Sequence, residues 1–292
     1  MKKAFFLIIV LATVTVEAMA KNEASGSITV KTSKVCRMLV QTWADAYMQK
    51  NPDTHISIID LKAEQPSDIV VDADNEGGNA ASVGRYILLP VTTSDNPVAD
   101  ELQKKQLSQY DLQQLYFNQD PYADDDEELS TRRKRLIESV TVYSGNRKNS
   151  AAEQFARLLG LKSSDLRGRK ISGDDIYLLS AIERDSTGIT VNNVAYLYDT
   201  ANRSLKRDLV ILPLKLNKEQ RQAVESRNLD QLLTAFEHSD SDILPAQNLS
   251  LELGSRQSAA ATAFAHWVQT DGQQYNNRAG FLRSYNVVAQ AK

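Results

Sequence analysis

Ser27-Ile28-Thr29-Val30-Lys31-Thr32-Ser33-Lys34-Val35-Cys36-Arg37-Met38-Leu39-Val40-Gln41-Thr42-Trp43-Ala44-Asp45-Ala46-Tyr47 reads as a short strand, a polar turn and a helix in succession. The strand is Ser27 to Val30, and Lys31 to Lys34 break its apolar run. Val35, Leu39, Trp43 and Tyr47 then recur at every fourth position, which puts them on one buried helix face. Thr32 or Ser33 can cap that helix. Amides at a strand-to-helix turn point outward and the helix dipole adds positive potential, so this turn can cradle a small anion without a dedicated cation.

Upstream stand Lys2 and Lys3, an apolar stretch from Ala4 to Val16, and the small-x-small run Ala18-Met19-Ala20. This is the pattern of a secretory signal over residues 1–20, cleaved after Ala20. The apolar stretch falls short of the roughly 20 residues that span a bilayer. A soluble periplasmic protein is therefore expected. No cysteine near the cleavage site can carry a lipid anchor, and Cys36, the one cysteine of the chain, has no partner for a disulfide. Its place beside Leu39 and Val40 suits a buried thiol.

Downstream, strand and helix signals alternate without an internal repeat. His55 to Ile59, Asp68 to Val71 and Tyr86 to Val91 read as buried strands. Ser108 opens a helix through Leu112, Leu115 and Tyr116, with Asp111 placed to reach back to the serine. Val140 to Tyr143 is a strand that passes through Ser144-Gly145-Asn146-Arg147-Lys148-Asn149 into Ser150-Ala151-Ala152-Glu153. That run is a capping box heading a second amphipathic helix, which Gly160 can end. Leu209 to Pro213 is a later strand, and a helix through Ala260, Phe264, Trp267 and Val268 stops at Asp271-Gly272. Such alternation predicts an α/β architecture with largely parallel sheets. Within 120–135, the acids Asp124 to Glu128 and the bases Arg132 to Arg135 read as a solvated surface helix or loop.

The formal charge of −3 argues against nucleic acid as a partner. His55, His238 and His266 lie far apart, so no metal-ligand spacing arises. No G-x-S-x-G elbow, P-loop or Gly-rich dinucleotide turn occurs. Lys31-Thr32-Ser33 and Ser94-Asp95-Asn96 match two penicillin-binding motifs in the wrong order, without a preceding Ser-x-x-Lys. Neither catalysis, a metal nor a cofactor is expected.

Several short runs stand in a telling order. They are Trp43-Ala44-Asp45-Ala46-Tyr47 with Asn51-Pro52, Ser67 to Val71, Leu89-Pro90-Val91 with Asn96-Pro97, and Leu107-Ser108 with Asp111-Leu112. Leu115-Tyr116-Phe117, Arg147 to Phe155, and Phe264 to Val268 with Asp271-Gly272-Gln273-Gln274 and Gly280-Phe281-Leu282 complete the set. In this order the chain resembles the phosphate-type extracellular solute-binding proteins of ABC transporters, within the two-lobed periplasmic-binding fold.

The resemblance implies two α/β lobes, each a mainly parallel sheet flanked by helices. Two crossover strands would join them, near Val91 to Pro97 and near Leu212 to Leu214, with lobe 1 at 21–92 and 214–292 and lobe 2 at 93–213. It also implies a monomer that closes on phosphate or a related oxyanion in the cleft and presents the closed shape to an inner-membrane permease. Thr32 and Ser33 match the ligand turn of one lobe, and Arg147, Asn149 and Ser150 that of the other. Asp68 or Asp72 would accept a proton from the bound anion.

The residues by themselves leave alternatives. The capping box accounts for Ser150, Arg147 can pair with a surface carboxylate, and Asp68 and Asp72 can be ordinary strand-end acids. Where the family carries Ser-Gly-Thr this chain has Ser150-Ala151-Ala152, and only Glu64-Gln65-Pro66 stands where a glycine-rich serine segment is expected. Two functions follow: a receptor delivering an oxyanion to an ABC-type transporter, or a scaffold without a solute that serves as a protein-interaction module in the cell envelope.

Overall fold

The computed structural model describes residues 26–73, 80–118, 131–146, 150–256 and 258–285. The signal at 1–20, the acidic run, Arg147 and Asn149 lie outside the described residues. β1 (Gly26–Thr32) enters a 3-10 turn, Lys34–Cys36, and then α1 (Arg37–Lys50). β2 (Thr54–Asp60), β3 (Ile69–Ala73) and β4 (Ala81–Tyr86) follow. Next come β5 (Leu88–Thr93), α2 (Ala99–Gln103), α3 (Gln109–Tyr116), α4 (Thr131–Glu138) and β6 (Thr141–Gly145). α5 (Ala151–Leu158), β7 (Arg169–Ile171), α6 (Ile176–Arg184), β8 (Gly188–Asn193) and α7 (Val194–Leu197) lead to a hairpin of β9 (Tyr198–Asp199) and β10 (Ser204–Leu205). β11 (Leu209–Ile211), α8 (Lys218–Glu225), α9 (Leu229–His238), β12 (Gln247–Leu253) and α10 (Ala259–Gln269) complete the order.

Two compact units form, 1–83 with 249–275 and 84–248 with 276–292. In unit 1 the sheet order is β2-β1-β3-β12-β4. β1 pairs in parallel with β2 and β3, and β12 runs antiparallel to β3. A central strand is covered on both faces, which is why Ile28, Thr29 and Val30 are all buried rather than alternating. α1 buries Leu39, Val40, Trp43, Ala44 and Tyr47, the stripe its spacing predicts. Tyr47 meets Phe264 and Trp267 of α10 edge-on, with ring centroids 4.9 and 5.3 Å apart.

In unit 2 the order is β11-β5-β8-β6-β7. β6 pairs in parallel with β7 and β8, whereas β5 runs antiparallel to β8 and β11. α3 begins with the expected reciprocal cap: Asp111 N donates to Ser108 Oγ at 3.2 Å, and Ser108 N to Asp111 Oδ2 at 2.9 Å. Phe155 of α5 packs edge-on against Tyr116, with centroids 5.1 Å apart.

The unit boundaries differ from those expected. Tyr86 to Val91 is not one strand, because Tyr86 ends β4 of the first sheet and Leu88 begins β5 of the second. The chain leaves unit 1 at 83/84, well before Val91 to Pro97, since Leu88 to Thr92 are paired residue by residue with β8. Residues 214–248 likewise stay with unit 2. Gln109 of α3 donates to the Ile243 carbonyl at 3.1 Å, and Glu237 of α9 receives Arg283 Nη2 at 2.7 Å.

Candidate ligand-binding site

Ligands of open α/β sheets bind outside the carboxyl ends of the strands, where connections from neighbouring strands depart in opposite directions. In unit 1 that switch point is the carboxyl end of β1 and β3, with β2 on the far side of β1. In unit 2 it is the carboxyl end of β6 and β8, with β7 on the far side of β6.

Thr32 closes β1 and stands in register with Asp60 and Val71, so Asp72 lies one residue further out on β3. Thr32 and Ser33 are buried there, and Asp72 is half-buried. Neither hydroxyl caps the helix as the sequence suggests. Thr32 Oγ1 donates to the Ser33 carbonyl at 3.2 Å, and Ser33 Oγ lies 3.3 Å from Cys36 Sγ. Ser33 holds the N-cap position of the 3-10 turn without a side-chain bond to its amides. Cys36 is buried, as its apolar neighbours imply. Asp72 Oδ1 accepts from Ala73 N at 2.7 Å. The structure thus brings Thr32, Ser33 and Asp72 to one mouth.

Asp68 is not part of it. It precedes β3 and stands level with Thr29, whose amide donates to Asp68 Oδ2 at 2.8 Å. Arg256 Nη2 lies 3.0 Å from the same oxygen and 3.0 Å from Thr29 Oγ1. At about 3.3 Å per residue, Thr29 is roughly 10 Å behind Thr32 along the strand. Gly254 permits this packing: a Cβ there would sit 2.2 Å from the Ser67 carbonyl oxygen, and its amide donates to the Asp68 carbonyl at 2.7 Å. Asp68 ties the loop after β12 to the amino-terminal half of the sheet.

At the unit 2 mouth, Ser150 is the N-cap of α5, and its Oγ accepts from Glu153 N at 3.3 Å. The next amide, Ala151 N, donates to Asp175 Oδ2 at 2.9 Å. Asn192 of β8 donates from Nδ2 to the Asp175 carbonyl at 2.7 Å. Ser150, Asp175 and Asn192 are all buried. A Cβ on Gly145 would lie 3.2 Å from Asp175 Oδ1, so the carboxylate sits against the end of β6. Lys170 of β7 donates to Ser144 Oγ at 3.0 Å, and burial lowers its pKa against the opposing charge of Asp165. The void beside Ser144, Ala152 and Phe155 is about 10 Å³, the lower limit for one water. A larger cavity of about 310 Å³, floored by Leu102, Leu107, Leu115, Leu136 and Ile137, shares no residue with this mouth.

Asp175, Asn192 and Arg256 are absent from the sequence-based candidates. Asp174-Asp175 at the head of α6 reads as an ordinary cap for that helix. Asp175 does hold its N-cap position, but its side chain makes no cap bond to α6 and turns to α5 instead. Among the described residues, no helix is long and apolar enough to cross a membrane.

No family model and no curated protein matches this chain. Solved structures do. A Clostridium perfringens protein assigned as a phosphate ABC transporter substrate-binding protein, with phosphate bound, is 13% identical with a TM-score of 0.58, over 88% of this chain and 99% of that one. An ABC-type phosphate transport receptor from Vibrio cholerae is 12% identical with a TM-score of 0.53, over 87% and 99%. The CcmR regulatory domain of Synechocystis PCC6803, in complex with 2-PG, is 14% identical with a TM-score of 0.52, over 84% and 96%. These likenesses show the two-lobed periplasmic-binding fold, which serves transport receptors and a regulatory domain alike.

Proposed function

We propose that this chain, built on the periplasmic-binding fold, is an exported solute-binding protein that captures phosphate or a related oxyanion for an ABC-type permease. The observation that carries this reading is the meeting of Thr32, Ser33 and Asp72 at the unit 1 switch point. Among the described residues the Ser33 hydroxyl meets the Cys36 thiol at 3.3 Å, a weak partner that an anion oxygen readily replaces. Asp72 can accept the proton of a hydrogen phosphate. Hydrogen bonds to a charged group contribute about 1.5–3 kcal/mol each, so a few suffice for millimolar or tighter capture. The role is binding rather than catalysis.

A second reading has the Asp175 carboxylate on its side: a scaffold that has given up its solute and serves as an interaction module in the envelope. Thermal melts with phosphate, sulfate, molybdate, citrate and chloride separate the two. Phosphate at a hundredfold its Kd should raise unfolding free energy by about 2.7 kcal/mol, and Ser33→Ala or Asp72→Asn should reduce that gain. Melts indifferent to every anion would leave the interaction module. Mass spectrometry of the periplasmic fraction should find a chain beginning at Lys21.

A further inference from the structure

The unit 2 mouth repeats the strand-turn-helix plan of unit 1, but where the leading amide of unit 1, Ser33 N, meets the Val71 main-chain carbonyl at 3.4 Å, that of unit 2 meets a side-chain carboxylate. Ala151 N donates to Asp175 Oδ2 at 2.9 Å, across 24 positions of sequence. The carboxylate is placed from two directions: Asn192 holds the Asp175 main chain at 2.7 Å, and Gly145 leaves room for Oδ1 where any side chain would be tight. A carboxylate at a helix N-terminus satisfies both the open amide and the dipole, as a bound oxyanion would. Asp175 also forgoes capping its own helix, so its conformation answers to α5 rather than to α6.

We propose that Asp175 is a built-in anion that occupies the unit 2 switch point and closes the head of α5 to solute oxyanions. This rests on the binding-protein reading of the fold and deepens it: the specificity-determining residue of unit 2 is Asp175, which takes the Ala151 amide out of reach of a solute oxyanion. A tethered, pre-placed carboxylate competes with free solute as an intramolecular partner, so millimolar anion does not displace it.

Backbone amide NMR during phosphate and sulfate titrations tests this at constant ionic strength. In the wild-type chain the Ala151 resonance should stay in place, while in Asp175→Ser, which empties the position, it should move saturably with either anion. Asp175→Asn keeps a neutral oxygen on the amide and should leave Ala151 unresponsive. An Ala151 shift in the wild-type chain overturns the proposal, a result that needs no variant to fold. An unmoved Ala151 in folded Asp175→Ser overturns it equally. The Ser33 and Lys34 amides in the same wild-type spectra report the oxyanion function separately, so its failure is not confused with this one.

Discussion

Two carboxylates differ in what holds them, and their substitutions differ accordingly. Asp68 accepts the buried Thr29 amide and the Arg256 guanidinium on one oxygen. Asp68→Ala strands that amide, at a cost of about 1–3 kcal/mol in urea unfolding. Asp68→Asn keeps an acceptor and loses only attraction to an arginine that is 50% exposed, so it should cost about 1 kcal/mol or less. Neither variant should alter the phosphate response; a lost response at unchanged stability would return Asp68 to the binding mouth. For Glu237, burial alone would raise the carboxyl, but hydrogen bonds from the Arg283 side chain and backbone, with the charges of Arg283 and Arg85, hold it below the usual glutamate range. A depressed folded pKa contributes stability above the unfolded value of about 4.3 and loses it as pH falls through the folded one. Glu237→Gln should therefore be most destabilising at neutral pH and converge on wild type in acid. A gap that stays constant across an acid series of urea melts would refute the ionic account.

At the scale of elements, α5 separates capping from binding. Ser150→Ala removes the acceptor of Glu153 N and should cost about 1 kcal/mol, with no change in the anion dependence of the melt, because Asp175 still holds Ala151 N. A phosphate response that vanishes with Ser150 would contradict this. The α1 and α10 stripes were legible because a fourfold apolar repeat has one geometric solution, and the rings of Tyr47, Phe264 and Trp267 meet where those stripes face each other. The Ser108 and Asp111 cap was legible because it is local. Tyr86 to Val91 misled for the opposite reason: an unbroken apolar run does not say which sheet each half joins, and hydrogen-bond partners more than 90 positions away decide it. Asp68 and Asp72 look alike as strand-end acids, and only the register of β3 on β1 places one behind the mouth and the other at it. Asp175 was illegible because its partner is not the helix it heads.

At the scale of the whole molecule, both units are discontinuous, but not equally dependent on the late chain. All five strands of the second sheet lie between Leu88 and Ile211. The first sheet needs β12, which sits between β3 and β4, and the first core needs Phe264 and Trp267 of α10 against Tyr47. Large aromatic truncations in a core cost about 3–5 kcal/mol each, so losing both rings together with a central strand exceeds what a unit of this size can spare. A chain ending at Asn248 should therefore unfold unit 1 while unit 2 keeps its sheet. The two tryptophans of the chain make this measurable, since the truncation removes Trp267 and leaves Trp43, fully buried in unit 1, as the sole reporter. Its emission should shift to that of a water-exposed indole while circular dichroism retains the α/β signal of unit 2. Blue-shifted Trp43 emission in the truncated chain would mean that residues 26–83 hold their core without β12 and α10, and the discontinuous unit would lose its energetic basis.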